Sequence, residues 1–241
     1  MPYDKPATLT MLIHGDAGVG KSWLLGSAPT PLLILDAEGR ARYLPGGPKV
    51  FWDPATQSPP VDDGTWTMCI VTVTKFAQLE QVRQWLQSGQ HPFKSVGVDS
   101  LTEIQKRFMD DAFGSKQLET QDWGAVLREL EHIVRDFRDL TLSNGNSVEC
   151  VAFSVGSRLN SGGKIAPLLQ GALKDTLPYF LDACGYLYNV MDAEGRLQRN
   201  LLVEPRPNVI AKDGTNRLGG PVLTNPDLRS MFEGLLSGVV N

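Results

Sequence analysis

The first residues with legible chemistry are 15–22, Gly15-Asp16-Ala17-Gly18-Val19-Gly20-Lys21-Ser22, which fit the pattern G-x-x-x-x-G-K-[ST]. Glycines at these positions let the backbone wrap closely around phosphate oxygens. Amides at the start of a helix present positive partial charge to an anion. Lys21 would then reach the β- and γ-phosphates of a nucleoside triphosphate, and the Ser22 hydroxyl would ligate Mg²⁺. Such a loop binds. Hydrolysis needs a further acid on the metal side and a group that orients water.

Two acidic positions answer that need. Asp99 closes the apolar run Val96-Gly97-Val98 and is the expected metal-side acid. Its competing role is the N-cap of a helix, because Asp99-Ser100 also precedes one. Glu38 ends Asp36-Ala37-Glu38, just after a second apolar run. Spacing alone leaves it equally a general base facing the γ-phosphate or a solvated loop carboxylate.

These groups act together only on a scaffold that brings several strand ends to one place. Short apolar runs at 8–14, 31–36, 68–73, 95–99 and 147–155 read as buried strands, with a shorter one within 50–52. A helix follows the glycine-rich loop over 21–27 and stops near Pro29. Residues 75–88 place Phe76, Leu79, Val82, Trp85 and Leu86 at helical spacing, and 101–113 and 122–142 are also amphipathic. Residues 172–181 form a weaker helical candidate. Strands alternating with helices predict a mostly parallel sheet.

Residues 156–171 read as a polar, glycine-containing loop. Residues 185–190 and 197–203 flank the turn at 192–195 and read as a hairpin. Near the end, Asn225 is the expected N-cap and Pro226 the first residue of a last helix. The expected architecture is one α/β domain with a mostly parallel central sheet flanked by helices. Its core spans roughly 7–204, and a C-terminal extension spans roughly 205–241.

Bulk properties narrow the partners. The 241 residues carry a formal net charge of −4, so a wholesale basic surface is excluded and any nucleic-acid contact must be a local patch. Three cysteines and three histidines stand without metal-ligand spacing, which argues against structural zinc. No apolar run approaches the ~18 residues of a membrane span. Unpaired cysteines suit a reducing compartment, so a cytoplasmic protein without membrane partners is expected.

With these segments placed, the chain resembles the RecA-like recombinase ATPases, and more narrowly the small bacteriophage ATPases associated with single-strand annealing and recombination. The resemblance rests on GDAGVGKS at 15–22, LLILDAEG at 32–39, VGVDS at 96–100, QDWGAVLRELEHIVRDFRDL at 121–140 and AKDGTNRLGGPVLTNPDL at 211–228. It implies a RecA-like P-loop NTPase core, ATP with Mg²⁺ as cofactors, and Glu38 as the catalytic base. It places a mobile DNA-binding loop at 156–171, where Arg158 and Lys164 would contact the phosphates of single-stranded DNA. It also implies a ring or filament whose ATP site is completed by a neighbour's cation. The candidates are the basic cluster Arg206, Lys212 and Arg217, with Lys212 and Arg217 favoured. A single-strand-binding protein is a further implied partner. Where RecA carries a glutamine after the acid strand, this chain has Phe153-Ser154-Val155-Gly156-Ser157, with Ser154 or Ser157 as substitutes. The rival reading is a nucleotide-dependent assembly module with negligible turnover, whose DNA contact comes from a partner.

Overall fold

The strand before the glycine-rich loop, β1 (Leu9–Gly15), is buried at all seven positions, as a strand covered on both faces must be. The structure, a computed structural model, describes residues 7–142 and 148–237. After β1 come α1 (Lys21–Leu25), β2 (Leu32–Asp36), β3 (Lys49–Phe51), β4 (Met68–Thr72), α2 (Phe76–Gln87), β5 (Ser95–Asp99), α3 (Leu101–Phe113) and α4 (Thr120–Asp139). The second half holds β6 (Cys150–Leu159), β7 (Ile165–Pro167), α5 (Leu173–Phe180), β8 (Ala183–Met191), β9 (Leu197–Leu202), β10 (Lys212–Asp213), β11 (Val222–Thr224) and α6 (Leu228–Ser237).

The strands lie in the order β11-β9-β8-β1-β6-β5-β2-β4-β3. From β8 to β3 every neighbouring pair is parallel, while β9, β10 and β11 pair antiparallel. Because β6 is inserted between β1 and β5, the glycine-rich loop and Asp99 stand two strands apart at the same end of the sheet. This is the RecA-like P-loop NTPase fold.

Two apolar layers cover the sheet. On one face Leu79, Ile104, Val134 and Leu177 from α2 to α5 join the β5 and β6 side chains. On the other, Leu24 and Leu25 of α1 meet Leu228 and Phe232 of α6. The expected stripe of α4 is buried at Val126, Leu130, Ile133, Val134 and Phe137, while His132 is exposed. All three cysteines are free and buried. No helix among the described residues is long and apolar enough to cross a membrane.

Three expectations are corrected. The expected strand 147–155 begins at Cys150 and runs on to Leu159, with Ser147 outside the described residues. The stretch 156–171 is therefore largely a two-stranded arm: β6 pairs β7 through Ser157↔Pro167, Arg158↔Ala166 and Leu159↔Ile165. Its turn is closed by Asn160, whose side chain accepts the amides of Gly162 and Lys164. Glycines at the turn disguised the pairing, which only the antiparallel partner reveals.

The last helix begins at Leu228, and its cap is Asp227, whose carboxylate accepts the Ser230 amide at 2.8 Å. Asn225 has φ 47 and is clamped to β9, accepting the Arg199 amide and donating its own to the Arg199 carbonyl. It is therefore unavailable as a cap. Within the expected C-terminal extension, β10 pairs β8 and β11 pairs β9.

Candidate functional site

The glycine-rich loop leaves β1 at Gly15, where a Cβ would stand 2.4 Å from the Leu187 carbonyl of β8. Only glycine lets the two strands run this close. Gly18 and Gly20 have φ of 80 and 100, conformations that cost a residue with a Cβ. Lys21 Nζ folds over the loop and donates to the carbonyls of Gly15 and Asp16 at 2.8 Å each. Burial lowers its pKa, opposed by the negative charges of Glu38, Asp99 and Asp16.

Asp99 closes β5 and is 3% exposed. Its Oδ1 accepts from the Ser154 hydroxyl of β6, the strand inserted between it and β1. Burial raises its pKa, Ser154 and Ser22 hydroxyls pull it down, and Glu38 and Asp36 push it up again. The N-cap role falls to Ser100, whose hydroxyl accepts the Glu103 amide. Asp99 is thereby free for other work, and its Oδ2 is buried without a hydrogen-bond partner.

That orphaned oxygen is the test of a metal. A buried, unsatisfied carboxylate oxygen costs free energy that a cation would offset. With Ser22 nearby, it suits Mg²⁺, which takes few protein ligands and completes its shell with phosphate oxygens and water. Among the described residues no cluster of three or more His, Cys, Asp or Glu could hold a metal ion.

Glu38 is held at the mouth of the same cleft. Asp36, fully extended in β2 and 2% exposed, accepts the amides of Glu38, Gly39 and Ala41, so it organises the loop and has no carboxylate oxygen free for metal. Arg107 of α3 donates to the Ala37 carbonyl at 2.7 Å. Ser100 Oγ donates to Glu38 Oε1 at 2.8 Å, which fixes the carboxylate and leaves its second oxygen for a water. The cleft holds about 610 Å³ and is lined by the loop, Trp23, Glu38, Asp99, Ser100 and Ser157, among others.

His14 was not singled out by its sequence context, yet it ties three segments together. It is fully buried. Its Nε2 is 2.7 Å from the Ile210 carbonyl, which can only accept, so Nε2 carries the proton. Nδ1, 2.8 Å from Ser157 Oγ, is then the acceptor. Burial and the Lys21 charge push its pKa down to about 4.

The basic candidates lie elsewhere. Arg158 and Lys164 sit on the β6–β7 arm; Lys164 is exposed and Arg158 half-buried. Only the foot of the arm, Gly156 and Ser157, lines the cleft. Arg206 is exposed and paired with Glu204 at 2.8 Å. Lys212 donates to the carbonyls of Pro178 and Leu181, so its ammonium is occupied within its own chain. Arg217 is exposed beside a turn organised by the Asp213 carboxylate. Segment 208–210 is zipped to the arm by Ile165 N–H to Asn208 and Ile210 N–H to Ile165. Ser100, Arg107 and His14 gained their significance from contacts between segments distant in the chain, and of these only Ser100 had a local signal, its place before a helix. Ser154, expected in place of the RecA glutamine, meets Asp99.

The sequence comparison with curated proteins found no match. Among solved structures, a prototypical ATPase from the type III secretion system of pathogenic bacteria aligns at TM-score 0.46 and 15% identity. That alignment covers 76% of this chain and 52% of the other, so this chain spans about half of that protein. The flagellar accessory protein FlaH from Methanocaldococcus jannaschii aligns at TM-score 0.43 and 8% identity, covering 92% and 88%. The family described as AAA domain matches residues 7–215. This interval contains the loop, Glu38, Asp99, the β6–β7 arm and every strand of the sheet but β11, and the chain belongs to the AAA domain family.

Proposed function

We propose that this protein is a Mg²⁺-dependent ATPase that acts on single-stranded DNA in recombination, annealing or repair, encoded by a bacteriophage and working in the host cytoplasm. The observation that carries the ATPase part is the convergence of Lys21, Ser22, Asp99 and a fixed Glu38 on one cleft. Lys21 and the loop amides hold the triphosphate. Ser22 and Asp99 hold Mg²⁺, which when bound neutralises charge on the β- and γ-oxygens. Glu38 takes the proton of the attacking water, a contribution of about 10²–10⁴-fold for a positioned base.

The DNA part rests on the arm. Arg158 and Lys164 stand on it, and its foot is tied through Ser157 to His14, one residue before the loop. The arm has no aromatic residue, but Ile165 shares an apolar cluster with Tyr186 and Tyr188, whose rings stack 5.5 Å apart at 13°. Aromatic rings next to such an arm offer a face on which unpaired bases stack. Arg206 and Arg217 are the exposed cations for a neighbour's site in a ring or filament, and a single-strand-binding protein is a further partner. ATPase rates with and without single-stranded DNA, in wild type and Glu38→Gln, test the proposal. DNA-independent turnover that survives Glu38→Gln overturns the catalytic assignment. Absence of DNA binding at about 50 mM salt, where phosphate contacts are strongest, overturns the DNA role. The net charge of −4 favours a second reading, an assembly module whose partner supplies the DNA contact.

A further inference from the structure

In the first turn of α1, where Leu24 and Leu25 take the buried face, Trp23 is 49% exposed and lines the cleft directly after Ser22. The guanidinium of Arg199, from β9, lies over its ring at 5.1 Å from the centroid. Arg199 also presses on the loop: a Cβ on Gly20 would meet its Nε at 2.8 Å. Its backbone is clamped in both directions by Asn225. No carboxylate among the described residues lies within ion-pair distance of it. A second cation is thus fixed beside Lys21, backing an indole that remains half open.

The order of the strands says which end of a nucleotide this pair meets. Asp99 at the end of β5 and Glu38 just after β2 stand to one side of β1 and mark the γ-phosphate end. Arg199 stands on β9, to the other side of β1. A triphosphate laid in the loop with its γ-phosphate toward Glu38 therefore sends its nucleoside toward Trp23 and Arg199.

We propose that Trp23, backed by Arg199, is the stacking platform for the base of the bound nucleotide, and that it favours purines over pyrimidines. This rests on the nucleotide-binding reading above. The indole offers a flat apolar surface, and stacking grows with the area of the base, so the larger ring system gains more. Arg199 holds the indole from behind through a cation–π contact and keeps it from folding into the apolar layer beneath.

The test measures binding of MgATP, MgGTP, MgCTP and inorganic tripolyphosphate with Mg²⁺ to the full chain by calorimetry, in wild type, Trp23→Ala, Trp23→Phe and Arg199→Gln. Thermal melts confirm that each variant is folded. Trp23→Ala is expected to weaken ATP about tenfold, the size of one base–aromatic stack, with tripolyphosphate unchanged within about twofold. Trp23→Phe is expected to recover most of the loss, and Arg199→Gln to lose about threefold for ATP alone. In wild type, ATP and GTP should bind more tightly than CTP, and ATP should change the indole fluorescence in a way Trp23→Phe lacks.

Equal losses for ATP and tripolyphosphate in Trp23→Ala overturn the proposal in favour of a loop-supporting role. An unchanged ATP affinity overturns it too and moves the base elsewhere in the cleft. Wild-type protein that binds tripolyphosphate but shows no gain from a base sinks the stacking site and leaves the phosphate site standing. Failure of every triphosphate to bind sinks both.

Discussion

His14 Nδ1 accepts a hydrogen bond from Ser157 Oγ at 2.8 Å, joining the strand that feeds the phosphate loop to the foot of the β6–β7 arm. The same ring donates to Ile210, in the segment zipped to the other strand of that arm. A fully buried imidazole with both nitrogens engaged holds one tautomer and one orientation. The loop and the arm are thus joined through two short hydrogen bonds to one side chain.

His14 makes stability depend on pH. Its pKa is near 4 in the folded chain and about 6.5 when unfolded, so between those values the unfolded state binds the extra proton. Its contribution is fully present above about pH 6.5 and is lost as pH falls toward 4, by at most about 3 kcal/mol. Urea unfolding of wild type and His14→Gln across this range is the measurement. The difference in stability between the two should shrink as the pH drops; a constant difference would refute the assignment.

Asp99 has the opposite sign. Its pKa is raised by burial, so carrying its charge at neutral pH weighs against folding. Asp99→Asn should raise the thermal midpoint of the nucleotide-free protein by about 2–4 °C per kcal/mol relieved. It should also abolish Mg²⁺-dependent hydrolysis. Melting curves without nucleotide check the first and phosphate release with MgATP the second, and a lowered midpoint without nucleotide would count against a burial cost at Asp99.

Glu38 and Ser100 separate chemistry from positioning. Glu38→Gln should lower turnover by about 10²-fold or more while ATP affinity stays within a few-fold. Ser100→Ala removes the hydroxyl that fixes Glu38 Oε1 and should cost a smaller factor, about tenfold, again in turnover. Single-turnover rates read against nucleotide affinity distinguish the two effects from lost binding.

Asp36 is a stability determinant. Its carboxylate satisfies three amides, so Asp36→Ala leaves donors unpaired in a buried turn. The expected cost is about 2–4 kcal/mol, together with a slower reaction as Glu38 loses its seat. Denaturant unfolding gives the first quantity and the ATPase rate the second.

The sequence by itself determined whatever is local. The phosphate loop is eight contiguous residues whose glycines and Lys21 have meaning without a partner. Apolar runs ending in Asp36 and Asp99 revealed strands and their loop-side ends, because a strand buried on both faces is apolar at nearly every position. Helix α4 showed its buried stripe through its period.

The tertiary structure decided what depends on neighbours distant in the chain. Spacing left Glu38 equally a base or a solvated loop carboxylate; the hydroxyl of Ser100, from the end of another strand, is what holds it at the cleft. The arm stayed hidden because an antiparallel partner, absent from local spacing, converts a glycine-rich stretch into strands. Asn225 looked like a helix cap until β9 claimed both its side chain and its amide. Arg199 gained its place beside Gly20 and Trp23 only when β9 closed the sheet next to β8. The reason is physical: hydrogen bonds and desolvation act through space, and residue order reports them only where the chain is its own neighbour.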